Sequence, residues 1–589
     1  MKNLSLVLAA AVLTSCAASP PRSSPDSALN ALVEEWFDKQ LELSPMSATA
    51  IGDSRFDDRL DESTSPGFRE KSLGIERAYL DRARAIDATQ LSAAARITQE
   101  IFVSEREQAL AGQPFHEDYM PFNQMSGIPM DLVVYGSGSG PQPFATVADY
   151  DRFLKRVREF ARWADGAIAL MRAGMSRGIT LPRPAVMKMI PQLREIVTPT
   201  PEASIFWGPV VAMPKDFPAA EAARIRGAYS AALAREILPA YARLADFLER
   251  DYLPAARSTV GWSDLPDGPA WYRWRIRGAI TMDMAPDQIH QIGLNEVARI
   301  RAEMISVKQQ VGFQGDLDAF FKHLEDDPKF YFNDQQELLD AYRDVKRRID
   351  ALLPQLFSDF PRADYEIRPV ERFRAASAAG ASYQAPSADG KRPGIFYINT
   401  FNLKAQPRFG LETLSLHEAA PGHHFQIAIQ QELTGLPRFR RFNNYVSYAE
   451  GWALYAESIG KELGLFTDPY QWYGRLSDEM LRAMRLVVDT GLHANGWTRE
   501  QAIQYMLDNS SMAETDITAE VERYIVWPGQ ALGYKLGQLH ITALRAWAQT
   551  ELGAKFDVRD FHSQVLRDGA VPMDVLSAKI DRWIAGQKR

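Results

Sequence analysis

Apolar residues recur three and four positions apart over long stretches of this chain, among them Tyr150 to Ala173, Ala219 to Arg250, Asp287 to Gln310 and Asp334 to Leu356. That spacing gathers them on one side of an α-helix, and such a helix is stable in water only when its apolar side is covered. A chain of 589 residues, 46% of them hydrophobic and 24% charged, has enough apolar side chains to cover many such helices with one another. The expected architecture is therefore mainly α. No segment repeats itself at the period of about 20 to 50 residues that marks solenoids. Internal boundaries are weakly marked; the expected division is a helical N-terminal half over 29–280 and a second half over 281–589.

The helical pattern breaks between Glu366 and Thr400, where Gly380, Pro386, Asp389-Gly390 and Pro393-Gly394 precede or surround the β-prone run Ile395-Phe396-Tyr397-Ile398. Asp-Gly between two such runs is a hairpin signal. Ala381 to Tyr383 and Ile395 to Asn399 are thus expected to pair in a small antiparallel sheet, directly ahead of a helix opening near Leu411. An extended peptide pairs naturally with a strand, which makes Tyr397 and Asn399 candidate substrate-binding residues; a hairpin with no ligand role fits the same residues.

Met1-Lys2 supplies a positive start, Leu4 to Leu13 an apolar stretch and Leu13-Thr14-Ser15-Cys16 a small-residue cleavage site, the three parts of an export signal. The stretch is shorter than the roughly 20 residues a spanning helix needs. Cys16 is the single cysteine, so it forms no internal disulfide. An export signal ending at a lone cysteine resembles the lipobox of bacterial lipoproteins, which implies a signal over 1–16, lipidation at Cys16 and an anchor in a membrane surface. An ordinary signal peptide containing a cysteine is the alternative. By the same resemblance Ala17, rather than Asp, after the cysteine points to the periplasmic side of the outer membrane. Residues 17–28, rich in Ser, Pro and Ala, read as a flexible tether. A net charge of −8 without a Lys/Arg block argues against a nucleic-acid partner.

Three of the nine histidines, His417, His423 and His424, fall in the segment His417-Glu418-Ala419-Ala420-Pro421-Gly422-His423-His424. Hydrolytic zinc sites take three protein ligands and keep a position for water, and a helical His-Glu-x-x-His places two imidazoles one turn apart with a glutamate beside them. Here the first two histidines are six apart, about 9 Å of rise in a straight helix, too far to share one ion. The helix must break. Pro421 lacks an amide hydrogen and Gly422 tolerates unusual backbone angles, so looping out these two residues restores the ordinary spacing between His417 and His423. His424 is the rival second ligand and needs the same bulge. A kinked helix with buried, hydrogen-bonded histidines is the structural alternative.

His417 to Gln426, the downstream run Ser447-Tyr448-Ala449-Glu450-Gly451-Trp452-Ala453-Leu454-Tyr455-Ala456-Glu457, the stretch Tyr383 to Asn399 and Tyr524-Ile525-Val526-Trp527-Pro528-Gly529-Gln530 together resemble the DUF 885 family of bacterial proteins, grouped with zinc peptidases. The resemblance covers most of the mature chain. It implies a large helical metallopeptidase-like fold with a deep cleft, and it supports His423, since the histidine directly after Pro-Gly is the regular one of the pattern. A third ligand should come from a following helix. Ser447-Tyr448-Ala449-Glu450 also fits a capping box, in which Glu450 would serve a backbone amide. The resemblance favours Glu450 as ligand, with Glu457 as the fallback or a group behind the ligands.

Glu418 is then the general base that takes a proton from water. Candidate donors to the developing oxyanion are Tyr524, Tyr534 and His493, the last oriented by Asp489 four residues earlier; Tyr534 is also a candidate substrate-binding residue. Arg523, Gln530 and Lys535 are candidate carboxylate binders that nothing ranks. The expected cofactor is one Zn2+ and the expected activity hydrolysis of peptide bonds, in short peptides if the cleft is deep. A metal-dependent amidase or isopeptidase acting on cell-wall-derived peptides uses the same chemistry, and a non-catalytic peptide-binding lipoprotein is the reading from another class. Glu418 argues against the last, because a structural zinc site has four closed ligands and no use for a base.

Overall fold

The computed structural model describes residues 24–375, 378–386 and 392–589. Cys16, the export segment and Asp389-Gly390 lie outside the described residues. The chain is mainly helical, and the four periodic stretches are helices: Val147–Arg158 and Phe160–Met175, parted at Glu159; Ala219–Ala232, running through a π turn into Leu238–Phe247; Pro286–Gln310; and Gln335–Leu352. The first described helix, Pro25–Leu43, opens with Pro25 in its first turn and the Ser24 hydroxyl accepting from the amide of Ser27. Residues 25–28 of the expected tether are therefore helical. Among the described residues no helix is long and apolar enough to cross a membrane.

The division expected near residue 280 does not separate two cores. One apolar cluster is confined to Met46 through Tyr252, but another joins Leu29, Trp36 and Phe102 to Phe439, Trp452 and Ile580. Trp36 meets Phe102 and Phe439 edge to face at 5.3 and 6.0 Å. The N-terminal helices thus brace the C-terminal part directly.

Seven helices surround or support the histidine segment: α1 (Pro286–Gln310), α2 (Leu411–Glu418), α3 (His423–Glu432), α4 (Val446–Ser458), α5 (Pro469–His493), α6 (Glu514–Val526) and α7 (Leu532–Leu552). α4 and α7 touch backbone to backbone: a Cβ on Gly537 would lie 1.9 Å from the Ser447 carbonyl oxygen. α1, α5 and α7 are tied by a buried ion network in which Lys535, fully buried, reaches Glu479 at 2.5 Å and Glu296 at 2.8 Å. Lys535 is therefore spent inside the protein and is no carboxylate binder.

The sheet is small and sits ahead of α2. β2 (Ala381–Gln384) runs antiparallel to β3 (Gly394–Ile398), as the sequence predicts. A further strand, β1 (Tyr365–Pro369), adds in parallel on the other side of β3, so the sheet is mixed, in the order β1-β3-β2. β3 is consequently the central strand, its backbone groups shared with both neighbours. It offers no free edge to a peptide, which removes the reason for assigning Tyr397 and Asn399 to substrate.

Candidate metal centre

α2 stops at Ala419, whose backbone (φ −104°, ψ −120°) leaves the helical region, and α3 restarts at His423. The Ala420-Pro421 peptide between them is cis. Gly422 passes so close to the end of α2 that a Cβ there would lie 1.9 Å from the His417 carbonyl oxygen and 2.3 Å from that of Leu416. Only glycine fits. The loop is held from α4, where the Trp452 indole N–H donates to the Pro421 carbonyl at 2.7 Å. A sequence break that takes two residues out of register thus becomes a fixed corner.

The corner turns His417 and His423 toward each other, with ring centroids 4.8 Å apart and planes at 87°. Glu450 of α4 completes the group: its Oε2 is 3.6 Å from Nε2 of both His417 and His423. One donor atom from each of the three residues lies within 4.8 Å of the others. α4 begins at Val446, with Tyr445 as its cap and no side-chain capping bond, so Glu450 does not serve as a capping glutamate. Glu457, two turns further along α4, accepts from Nδ1 of His417 at 2.7 Å. It stands behind a ligand candidate and fixes its ring, the arrangement that metal-binding imidazoles usually have.

Electrostatics fit the geometry. Burial would lower the pKa of His417, yet the Glu450 and Glu457 carboxylates beside its ring outweigh it and raise it to about 10. Burial would raise the Glu450 carboxyl, but the two imidazoles hold it well below the usual carboxylate range. Two imidazoles and a carboxylate, with a second carboxylate behind one imidazole, are a donor set suited to zinc. His424 points elsewhere: Nδ1 is 2.8 Å from the Tyr383 hydroxyl on β2, and burial lowers its pKa to about 4. Between the two histidines, the structure brings His423 to the group. Glu418, at the end of α2, is half-buried and within electrostatic reach of His417. Its carboxylate has no hydrogen bond or ion pair among the described residues.

Other expected residues go elsewhere. His493 is fully buried, with Nδ1 accepting from the Trp262 amide at 3.2 Å and Nε2 3.0 Å from the Tyr524 carbonyl oxygen. Both nitrogens are occupied, so it cannot serve an oxyanion. Asp489 does not orient it but accepts from Tyr272 and the Gly529 amide. Tyr524 is buried, its hydroxyl bonded to Glu520 and Arg485. Asn399 is buried with its amide donating to the carbonyls of Ala375 and Ala378, which makes it a loop clamp. Tyr397 has its hydroxyl 3.3 Å from Gln384 across the strand pair. Tyr534 is half-buried, its ring over the Arg485 guanidinium at 4.3 Å. Arg523 donates to Gln530 at 2.7 Å and to Glu520 at 2.9 Å.

Sequence reasoning missed Asp478, Arg482 and Arg485, which share one face of α5 by their spacing of four and three. The signal was there: charges at helical spacing in a helix whose other positions here are largely buried. A cavity of about 590 Å³ is lined by Arg183, Lys188, Asp264, Trp497, Arg499 and Glu522 among others and includes none of the His417–Glu450 group.

Burial lowers the pKa of His493 from 6.5 to about 3, so unfolding takes up a proton there once the pH is below 6.5. The stability it contributes above that value is lost as the pH falls toward 3. His493→Gln should make the acid loss of stability shallower by about 1.4 kcal/mol per pH unit between about pH 4 and 6. Denaturant melts of both proteins across that range measure it; equal slopes would mean His493 is protonated in the folded chain.

A family model described as "Bacterial protein of unknown function (DUF885)" matches residues 45–580. Among solved structures, one described as "the putative lipoprotein from Colwellia psychrerythraea" is 32% identical, with a TM-score of 0.85 over 96% of this chain and 100% of that one. Another, "a putative lipoprotein of unknown function from Shewanella oneidensis", is 17% identical and shares the fold, with a TM-score of 0.74 over 93% of this chain and 99% of that one. No curated protein matches.

Proposed function

The chain belongs to the DUF885 family of bacterial proteins, and from that premise we propose that this member is a zinc-dependent peptidase held to the cell envelope by a lipid on Cys16. The observation that carries the reading is the convergence of His417, His423 and Glu450 beside the unspent carboxylate of Glu418, with Glu457 behind His417. His417, His423 and Glu450 would hold the ion. Zinc there would supply Lewis acidity, polarising a carbonyl and acidifying water.

The chain's own residues do the rest. Glu418 takes the proton of the attacking water and returns it to the leaving amine. Glu457 keeps the His417 ring in one tautomer, with Nε2 free to face Glu450. Trp452 and Gly422 keep the corner closed, so the two imidazoles stay within reach of one another. A structural zinc site would leave Glu418 without a task. Short peptides are the proposed substrates. The solved structure at 32% identity, described as a putative lipoprotein, supports the anchor; Ala17, rather than Asp, after Cys16 favours the periplasmic side of the outer membrane.

The test is hydrolysis of a mixed peptide library by the purified protein with and without a chelator. Cleavage that disappears with the chelator and returns with about one equivalent of zinc is expected. A zinc-loaded protein that cleaves no peptide would overturn the reading.

A further inference from the structure

We propose that Arg485 of α5, with Arg482 and the Tyr534 ring, forms a subsite for the free C-terminal carboxylate of a peptide whose scissile bond lies at the His417–Glu450 centre. The proposal rests on the peptidase reading and names its substrate class.

Asp478, Arg482 and Arg485 follow one another along one face of α5. The near end of this row is beside the metal centre: Asp478 lies within electrostatic reach of His417 and Glu457, and Arg482 within reach of Glu457, Arg485 and Tyr534. At 1.5 Å per residue, the step from Asp478 to Arg485 is roughly 10 Å. An extended peptide covers that distance in about three residues. A carboxylate at Arg485 would therefore end a chain about two or three residues past the bond that is cut.

The far end is prepared for an anion. The Arg485 side chain is only 8% exposed. Its Nε donates to the Tyr524 hydroxyl at 3.1 Å and one terminal nitrogen to Glu520 at 2.9 Å, while the other terminal nitrogen is buried without a partner. A buried N–H left unbonded is costly, and a guanidinium edge is shaped to receive a carboxylate. Three guanidinium groups, Arg482, Arg485 and Arg523, are in ion pairs with only two carboxylates, Asp478 and Glu520. Tyr534 covers the Arg485 guanidinium from α7 and is half-buried, so its ring is the piece that would turn aside to admit a ligand. Lys535 and Arg523, the other cations considered for this task, are bonded to protein partners already.

The probes are an N-acetylated alanine pentapeptide with a free carboxylate and the same peptide as its C-terminal amide. The zinc-loaded wild type should cleave the acid with a kcat/KM about 10- to 100-fold above that of the amide, the size of a charge-assisted hydrogen bond. Arg485→Gln should lower the acid's value more than the amide's and so close the gap between the two peptides, while an unchanged zinc content and an unchanged circular dichroism spectrum show that the variant is folded. Equal cleavage of both peptides by the wild type would overturn the subsite and leave the peptidase standing. Titration calorimetry on Glu418→Gln separates the remaining cases. Tighter binding of the acid without any cleavage by the wild type would support the subsite while the peptidase reading falls; equal affinity would overturn the subsite.

Discussion

Glu418→Gln is expected to keep about one zinc per chain and to lose peptide hydrolysis by about 10²- to 10⁴-fold, the usual contribution of a positioned base. The side chain is not among the three that converge, and among the described residues it holds no hydrogen bond or ion pair that its loss would break. Glutamine has nearly the same shape, so the corner at Pro421 and Gly422 is undisturbed. What disappears is the carboxylate that accepts a proton. Metal content by mass spectrometry alongside kcat on a cleaved peptide separates the outcomes. Loss of zinc and activity together would make Glu418 a ligand, and full activity would leave the chain without the base assigned here.

Gly422→Ala has a structural effect of comparable size. Its new methyl group would lie 1.9 Å from one backbone oxygen and 2.3 Å from another, neither of which can swing away as a side-chain tip would. The loop must open, at a cost of about 3 kcal/mol by the measure of overpacked sites. Opening also parts His417 from His423, whose rings meet across that corner at 4.8 Å. Zinc affinity should fall by more than about 100-fold, the upper end of what loss of a group behind the ligands costs. Denaturant unfolding and zinc titration of the variant measure the two effects. Unchanged stability would mean that the corner is looser than the close approach of Gly422 implies.

Much of the centre was legible because proline and glycine carry backbone chemistry in their identity. Six residues from His417 to His423 could not serve one ion along a straight helix, and Pro421-Gly422 gave both the need and the means of a break. The β2–β3 pair was legible for the same kind of reason, from local turn residues. β1 was not, because its parallel pairing of Tyr365 with Gly394 spans a long connection that no turn announces. His493, Asn399 and Lys535 were misread together. Each is a polar residue that looks chemical in sequence, and whether it is spent on a buried partner is decided by tertiary packing. Glu450 and Glu457 share one face of α4, so spacing alone left them interchangeable; only the position of α2 shows which reaches both histidines and which stands behind one.

The most direct measurement is zinc bound per chain after equilibrium dialysis of the wild type, His423→Ala, Glu450→Ala and His424→Ala. About one zinc in the wild type and in His424→Ala, with loss in the other two, is the expected pattern. Retention by His423→Ala with loss in His424→Ala, or no zinc in the wild type, would contradict the centre described.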